Sequence, residues 1–308
     1  MNNTPKLSEE RLRVIENIEK AIAEGDTFRK VELSDPVIGE EDVKRVILPF
    51  DNLRRGPIAR VKALIARWLA EAMTKKFNKD TEIVGLENAL SVKGGAIITA
   101  NHYGITDSTP PRILAKACGK GKKFHIIVQQ TNVFMKGLFG FLMKNCNTMP
   151  VSPSPSYMAR NFTPALKRLL SEESFVLIYP EQEMWFNYKR PRPYRDGAFR
   201  FASTNGVPII PTFTEMRECA GEYDENGFLR VKHILHIMPP IYPDPKLSHR
   251  ENTEAMRQRE YEARRALYES LYGESPDAPF DPRRHIAGYP EEAERQREIL
   301  NLQVTKST

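Results

Sequence analysis

His102 and Asp107 are the residues of this 308-residue chain whose types and spacing best suit chemistry. They follow Ile97-Ile98-Thr99-Ala100, an apolar run introduced by Gly94-Gly95 that reads as a short buried strand. A strand opening into a polar, glycine-containing loop is a favoured place for reactive groups, because a rigid scaffold fixes what the loop presents. An imidazole, with an unperturbed pKa of about 6.5, can serve as a general base near neutral pH. A carboxylate five residues on can orient the ring and stabilise the imidazolium it becomes. A His and an Asp at this spacing also occur by chance, so the pair gains meaning only from its company. No third His, Cys or acidic ligand lies nearby at a recognisable spacing, and no metal is expected.

The elements that must hold this loop can be read on either side of it. Thr81–Gly85, Phe124–Val128, Phe175–Tyr179 and Val207–Thr212 read as strands, and Pro110–Cys118, Phe134–Met143, Asn161–Leu170 and Gly197–Thr204 as helices. Strands alternating with helices from about Ile83 to Thr212 predict an α/β fold, with a central parallel or mixed β-sheet flanked by helices. Asp224-Glu225-Asn226-Gly227 marks a hairpin turn into a returning strand, Phe228–Met238. A charged amphipathic helix follows over Asn252–Tyr272. This places an α/β domain at 79–275 and a loosely attached tail at 276–308. His125, set among apolar residues, reads as structural. Phe134–Met143, with Gly137 and Gly140, suits a helix that lines an apolar cavity or is simply packed.

Residues 1–78 read as an N-terminal helical extension. Ser8 is a plausible N-cap for a helix ending near Gly25, with Leu12, Ile15, Ile18 and Ile22 on one stripe. Asp26–Phe50 reads as a loop and a short helix. Pro57 then opens a second helix whose residues Val61, Leu64, Ile65, Trp68, Leu69 and Ala72 share a face, with Arg60, Lys62 and Arg67 beside it and Lys75 and Lys76 at its end. Two readings stay open: the stripe packs on the core, or the basic helix lies in a bilayer interface.

Composition excludes several classes. A hydrophobic content of 40% with 28% charged residues describes an ordinary globular chain rather than a disordered one. The formal charge of +6 suits anionic partners such as phosphorylated substrates, coenzyme A, an acidic carrier protein or an anionic membrane surface. The basic residues are not interleaved into a nucleic-acid module, and no nucleic acid is expected. Three scattered cysteines suggest neither a disulfide framework nor a zinc site. With no run of 18 apolar residues and no signal-peptide core, the chain reads as cytoplasmic, touching the inner face of the cell membrane without crossing it.

The company that His102 and Asp107 need lies about eighty residues on. The strand Phe175–Tyr179 runs into Pro180-Glu181-Gln182-Glu183-Met184-Trp185. Lys189, Arg190, Arg192 and Arg195 follow, held apart by Pro191 and Pro193. Such a loop is extended and positive, and suits either a phosphate or plain solvent.

Asn101-His102, four residues and Asp107 resemble the first motif of the glycerolipid acyltransferases, the PlsC-like lysophosphatidic acid acyltransferase family. Tyr179-Pro180-Glu181 resembles the family's Phe-Pro-Glu-Gly-Thr-Arg, and Val207-Pro208-Ile209-Ile210-Pro211 its Val-Pro-Ile-x-Pro strand. Gly197–Ala202 matches the family's glycine-containing helix, and Val84-Gly85-Leu86-Glu87-Asn88 its approach to the first motif. The resemblance covers roughly residues 80 to 215. It implies acyl transfer from acyl-coenzyme A or acyl carrier protein, as co-substrate, to a hydroxyl of a lysophospholipid, above all 1-acylglycerol 3-phosphate. No cofactor is needed. His102 would be the general base, Asp107 its orienting partner, and Glu181 a hydrogen-bonding partner for the glycerol hydroxyls. The chain departs from the family at two arginines: Asn147–Ser152 contains none, and Met184 stands where the third motif has one. Gln182 replaces the glycine. Gln182, Lys189, Arg190, Arg192 and Arg195 are therefore the expected binding residues, with Arg160 a further candidate for the phosphate. The same chemistry on another lysolipid, a glycolipid or an amino-acid lipid is the alternative. A non-catalytic lipid- or carrier-binding protein is the reading outside enzymology.

Overall fold

Two four-residue strands, too apolar to tolerate solvent on either face, form the centre of the molecule. A computed structural model describes residues 7–33, 39, 41, 54–297 and 299. The chain runs α1 (Glu9–Ala23), α2 (Pro57–Phe77), β1 (Glu82–Val84), α3 (Leu86–Leu90), β2 (Ala96–Thr99), α4 (Thr109–Ala117), β3 (Phe124–Gln129) and α5 (Gly137–Asn145). It continues through β4 (Thr148–Val151), α6 (Thr163–Ser171), β5 (Phe175–Ile178), α7 (Gly197–Asn205), β6 (Ile209–Tyr223), β7 (Leu229–Ile237), α8 (His249–Tyr272) and α9 (Pro282–His285). The strands make one seven-stranded sheet in the order β1-β7-β6-β2-β5-β3-β4. Only the β6–β7 hairpin is antiparallel. The fold is α/β with a mixed sheet, as the alternation of elements predicted.

β2 and β5 are buried along their whole length, as strands of a parallel sheet covered on both faces should be. They are neighbours, and Thr99 pairs in register with Ile178. His102 lies three residues beyond the first strand end and Glu181 three beyond the second, so the register sets the two motifs side by side. Gly95 is required just ahead of β2, because a Cβ there would stand 2.2 Å from the Leu170 carbonyl oxygen.

The ends of the chain depart from expectation. Ser8 caps α1 as predicted, but the helix is no detached extension. Its residues Leu12, Val14, Ile15 and Ile18 share a core with Trp185, Phe186 and Tyr188 of the motif loop and with Ile286, Tyr289 and Ala293. The segment after Pro276 is likewise no loose tail over its described residues. Tyr188 bridges Ile286, and His285, Ile286 and Ala287 have no exposed surface. Short polar stretches hid this docking, because only a few apolar residues carry it. The short helix read within Asp26–Phe50 falls almost wholly outside the described residues.

α2 packs on the protein through a different side from the apolar stripe read in the sequence. It packs on α4 and α5 through small residues at four-residue spacing, Ala66, Ala70 and Thr74, joined by Leu69 and Met73. Ile58, Val61, Leu64, Ile65 and Trp68 point outward, with Trp68 69% and Leu64 59% exposed. Large apolar side chains stand in water while alanines face the protein, because small residues let the helices approach closely. Arg60 and Lys62 flank the outward stripe as solvated cations.

Candidate active site

His102 sits on the loop that follows β2, and its backbone is held before its side chain is. The His102 carbonyl accepts from Trp185 N at 3.0 Å and the Tyr103 carbonyl from Asn187 N at 2.9 Å. The motif loops after β2 and β5 are thus laced together. Asn101 fastens the other side, its side chain bonding both the amide and the carbonyl of Thr214 on β6.

The side chains then converge. Asp107 Oδ2 lies 2.6 Å from His102 Nδ1 and accepts from the backbone amides of Tyr103 and Gly104 at 3.1 and 3.2 Å. Because that oxygen already accepts two N–H groups, it is a carboxylate acceptor, and Nδ1 is the donor. Nε2 is left without a proton in the neutral ring. The Tyr179 hydroxyl donates to the other oxygen, Oδ1, at 2.5 Å. The Tyr179 ring also stacks on His102, 4.0 Å between centroids and 13° from parallel.

Glu181 lies behind this pair. It is 2% exposed and is not among the residues lining the cavity that His102 and Asp107 line. Its carboxylate accepts from His102 N at 3.4 Å and from Arg192 Nη2 at 3.1 Å, and Arg264 Nη1 of α8 stands 3.6 Å away. Burial pulls the Arg192 guanidinium below its usual value, and Glu181 opposes that pull. Glu181 therefore joins three elements.

The four expected cations separate. Lys189, Arg190 and Arg192 are buried. Lys189 stands 3.8 Å from Glu218, Arg190 donates to the carbonyls of Ala278 and Pro279, and Arg192 donates to those of Thr27 and Glu183. Arg190 and Arg192 thus tie the loop to the two ends of the chain and Lys189 pairs with β6, so the positive loop of the sequence reading is mostly interior. Only Arg195 of the four reaches the cavity. It stacks on Phe28 at 3.7 Å and donates to Gln182 Oε1 at 3.2 Å. Arg160 lies in a π-helical turn before α6 and is not among the cavity residues.

The cavity measures about 300 Å³. Its lining combines His102, Asp107, Tyr179, Gln182, Glu183 and Arg195, with Ser108, Gln129 and Asn132, and the apolar residues Ile126, Val128, Met135, Phe139 and Met143. Gln182 takes a left-handed φ of 69°, the conformation for which a glycine at this place is suited, so the backbone bend is retained without the glycine. A second cavity, about 330 Å³ beside β4, contains Arg54, His125 and Arg168 and none of the His102 cluster. Burial, with Arg54 and Arg112 nearby, pushes His125 down to about 4, so it is a neutral structural histidine. No group of His, Cys, Asp and Glu among the described residues could hold a metal ion.

Residues 80–215 match the family described as Acyltransferase. That likeness to the acyltransferases spans less than half of the chain. The 1-acyl-sn-glycerol-3-phosphate acyltransferase BAT2, chloroplastic, of Brassica napus is 29% identical over 168 residues, 54% of this chain and 44% of the plant protein. The chain thus matches less than half the length of that relative. The crystal structure of the 1-acyl-sn-glycerophosphate acyltransferase PlsC from Thermotoga maritima aligns at a TM-score of 0.47 and 16% identity, covering 85% of this chain and 98% of that one.

Around this site, three features escaped the sequence reading. Glu183 faces the cavity and bonds Gln129 Nε2 at 2.6 Å, and nothing in its neighbours announced that. Arg264 was legible in principle: Met256, Glu260, Arg264 and Tyr268 recur every four residues on the buried face of α8, and a charged pair on such a stripe signals an interior ion pair. Tyr179 carries a hydroxyl where the family has a phenylalanine.

Proposed function

We propose that the protein transfers a fatty acyl group from an acyl thioester to a free hydroxyl of a lysophospholipid-type acceptor. The observation that carries this reading is the His102–Asp107 pair in the wall of a cavity that Ile126, Val128, Met135, Phe139 and Met143 also line. An acyl chain needs the apolar part, and a hydroxyl needs the base.

The chemistry follows from the tautomer. His102 Nε2 takes the proton of the acceptor hydroxyl as its oxygen attacks the thioester carbonyl carbon. The carbon–oxygen bond forms, and the negative charge collects on the former carbonyl oxygen. Collapse of that adduct breaks the carbon–sulfur bond, and the imidazolium returns its proton to the departing thiolate. Asp107 keeps the ring in one tautomer and stabilises its positive charge. The products are an ester and a free thiol of coenzyme A or of a carrier protein's arm. The chain's own residues balance every proton.

Arg195 is the cation positioned for an acceptor phosphate, and the acceptor named for the plant relative carries one. In Arg195→Ala, KM for 1-acylglycerol 3-phosphate rises about 10- to 100-fold with kcat little changed, the effect of one charge-assisted hydrogen bond. Steady-state kinetics read it. The Glu183 carboxylate in the same cavity wall favours a second reading, an acceptor whose headgroup donates hydrogen bonds. Turnover of an unphosphorylated monoacylglycerol that is indifferent to Arg195→Ala would select that reading.

The outward face of α2 supports seating on a lipid surface, with Trp68 and Leu64 in the bilayer interface and the flanking cations at the headgroups. Among the described residues no helix is long and apolar enough to cross a membrane. α5, on which α2 packs, lines the cavity through Phe139 and Met143, so this seat would bring lipid substrates beside the site. Replacing Leu64 and Trp68 together by Glu lowers binding to phosphatidylglycerol vesicles more than about tenfold, since each buried apolar side chain contributes roughly 1.5–3 kcal/mol. Cosedimentation measures this, and Tm stays unchanged because neither side chain packs on the protein. Undiminished binding would move the lipid seat elsewhere.

A further inference from the structure

We infer that Tyr179 is a positioning residue that moderates the basicity of the His102–Asp107 pair through the hydroxyl it donates to Asp107. The inference rests on the general-base reading of His102 and goes beyond it. Two contacts carry it. The Tyr179 hydroxyl lies 2.5 Å from Asp107 Oδ1, on the carboxylate oxygen that His102 does not use. The ring lies flat against the imidazole at 4.0 Å, so one side chain touches both members of the pair.

The direction of the effect follows from charge. A carboxylate supports an imidazolium in proportion to the negative charge it presents. A short hydrogen bond to Oδ1 draws part of that charge away from Oδ2 and weakens the support. Tyr179 therefore favours the neutral ring, the form that can take a proton from a hydroxyl. Burial, and then Asp107 itself, hold the Tyr179 phenol well above its ordinary range. It thus remains a donor throughout the working pH range.

The other groups around the pair do not supply this function. Tyr103 and Gly104 contribute backbone amides to Oδ2. Glu181 reaches only the backbone amide of His102. Arg112 on α4 stands over the Phe124 ring and acts on Tyr179 through space alone. Burial pushes His233 on β7 down to about 4, so it is neutral. Glu183 bonds Gln129 at the cavity wall.

Tyr179→Phe removes the hydroxyl and keeps the stacked ring. Without the donor, Asp107 supports the imidazolium more strongly, and the acid limb of kcat/KM against pH moves upward. A limb displaced by about 0.5–1 unit lowers activity about 3- to 10-fold on its acid side while the plateau is retained. Site-specific 3-fluorotyrosine at 179, a stronger donor, moves the limb the other way. NMR titration of the His102 ring in wild type and both variants reads the same displacement without any turnover, so the test survives if the assigned reaction is wrong. Opposite displacements in the two variants establish the role. A limb and a ring titration that stay in place overturn it, as does a loss of activity that is uniform across pH, which would make Tyr179 merely structural. If Tyr179→Phe fails to fold, the fluorotyrosine protein alone decides between these outcomes.

Discussion

Glu181→Ala unfolds well below the wild-type temperature, because it strands a buried guanidinium. Arg192 has 2% of its side chain exposed, and Glu181 is the carboxylate it pairs with inside the protein. Breaking one half of a buried pair costs about 3–5 kcal/mol. For a chain of this size that is roughly a 5–8 °C fall in Tm. Arg264 suffers less, since Glu260 Oε1 lies 2.8 Å from it on the same helix. Activity falls as well, because the carboxylate anchors the backbone amide of His102. Stability and positioning separate in a double variant, Glu181→Leu with Arg192→Leu. Removing both charges restores much of the Tm and leaves the activity low. A double variant that regains activity with its Tm would show that Glu181 serves stability alone. Direct contact with the acceptor, the role implied by family resemblance, predicts a raised KM in place of these effects.

The second large effect is on turnover. His102→Ala removes the proton acceptor and lowers kcat/KM by about 10²–10⁴-fold. Asp107→Asn approaches the same loss, because an amide cannot hold the ring in the tautomer that leaves Nε2 bare; a comparable change elsewhere costs about 10⁴-fold. His102 keeps 21% of its side chain exposed at the cavity, so its replacement leaves Tm nearly unchanged. Circular dichroism and thiol release, measured on the same preparations, distinguish a dead site from a lost fold. Substantial turnover in His102→Ala would end the general-base mechanism.

The central sheet and the reactive pair were legible in the sequence because both depend on short-range patterns. Ala96–Ile98 and Phe175–Ile178 are apolar without interruption, as parallel strands buried on both faces typically are. Asn101, His102 and Asp107 lie within seven residues, so one loop brings them together. The fate of the basic loop was not legible. Lys189, Arg190 and Arg192 read as an extended positive loop open to a phosphate or to solvent, yet each is held by the protein itself, through Glu218, the carbonyls of Ala278 and Pro279, and Glu181 with Thr27. Burial of a charge depends on its tertiary partner, which local composition does not disclose. The same holds for α2. Its periodicity gave a stripe, but which stripe faces the protein was decided by Ala66, Ala70 and Thr74 meeting α4 and α5.

The measurement that tests the account most directly is acceptor-dependent thiol release by the wild-type protein. Palmitoyl-coenzyme A and palmitoyl carrier protein are each supplied with 1-acylglycerol 3-phosphate, with monoacylglycerol, or with no acceptor, and the lipid products are weighed by mass spectrometry. The account predicts thiol release that requires an acceptor, matched mole for mole by a newly acylated lipid. Thiol release that proceeds equally without acceptor, or none from either donor with either lipid, would contradict it.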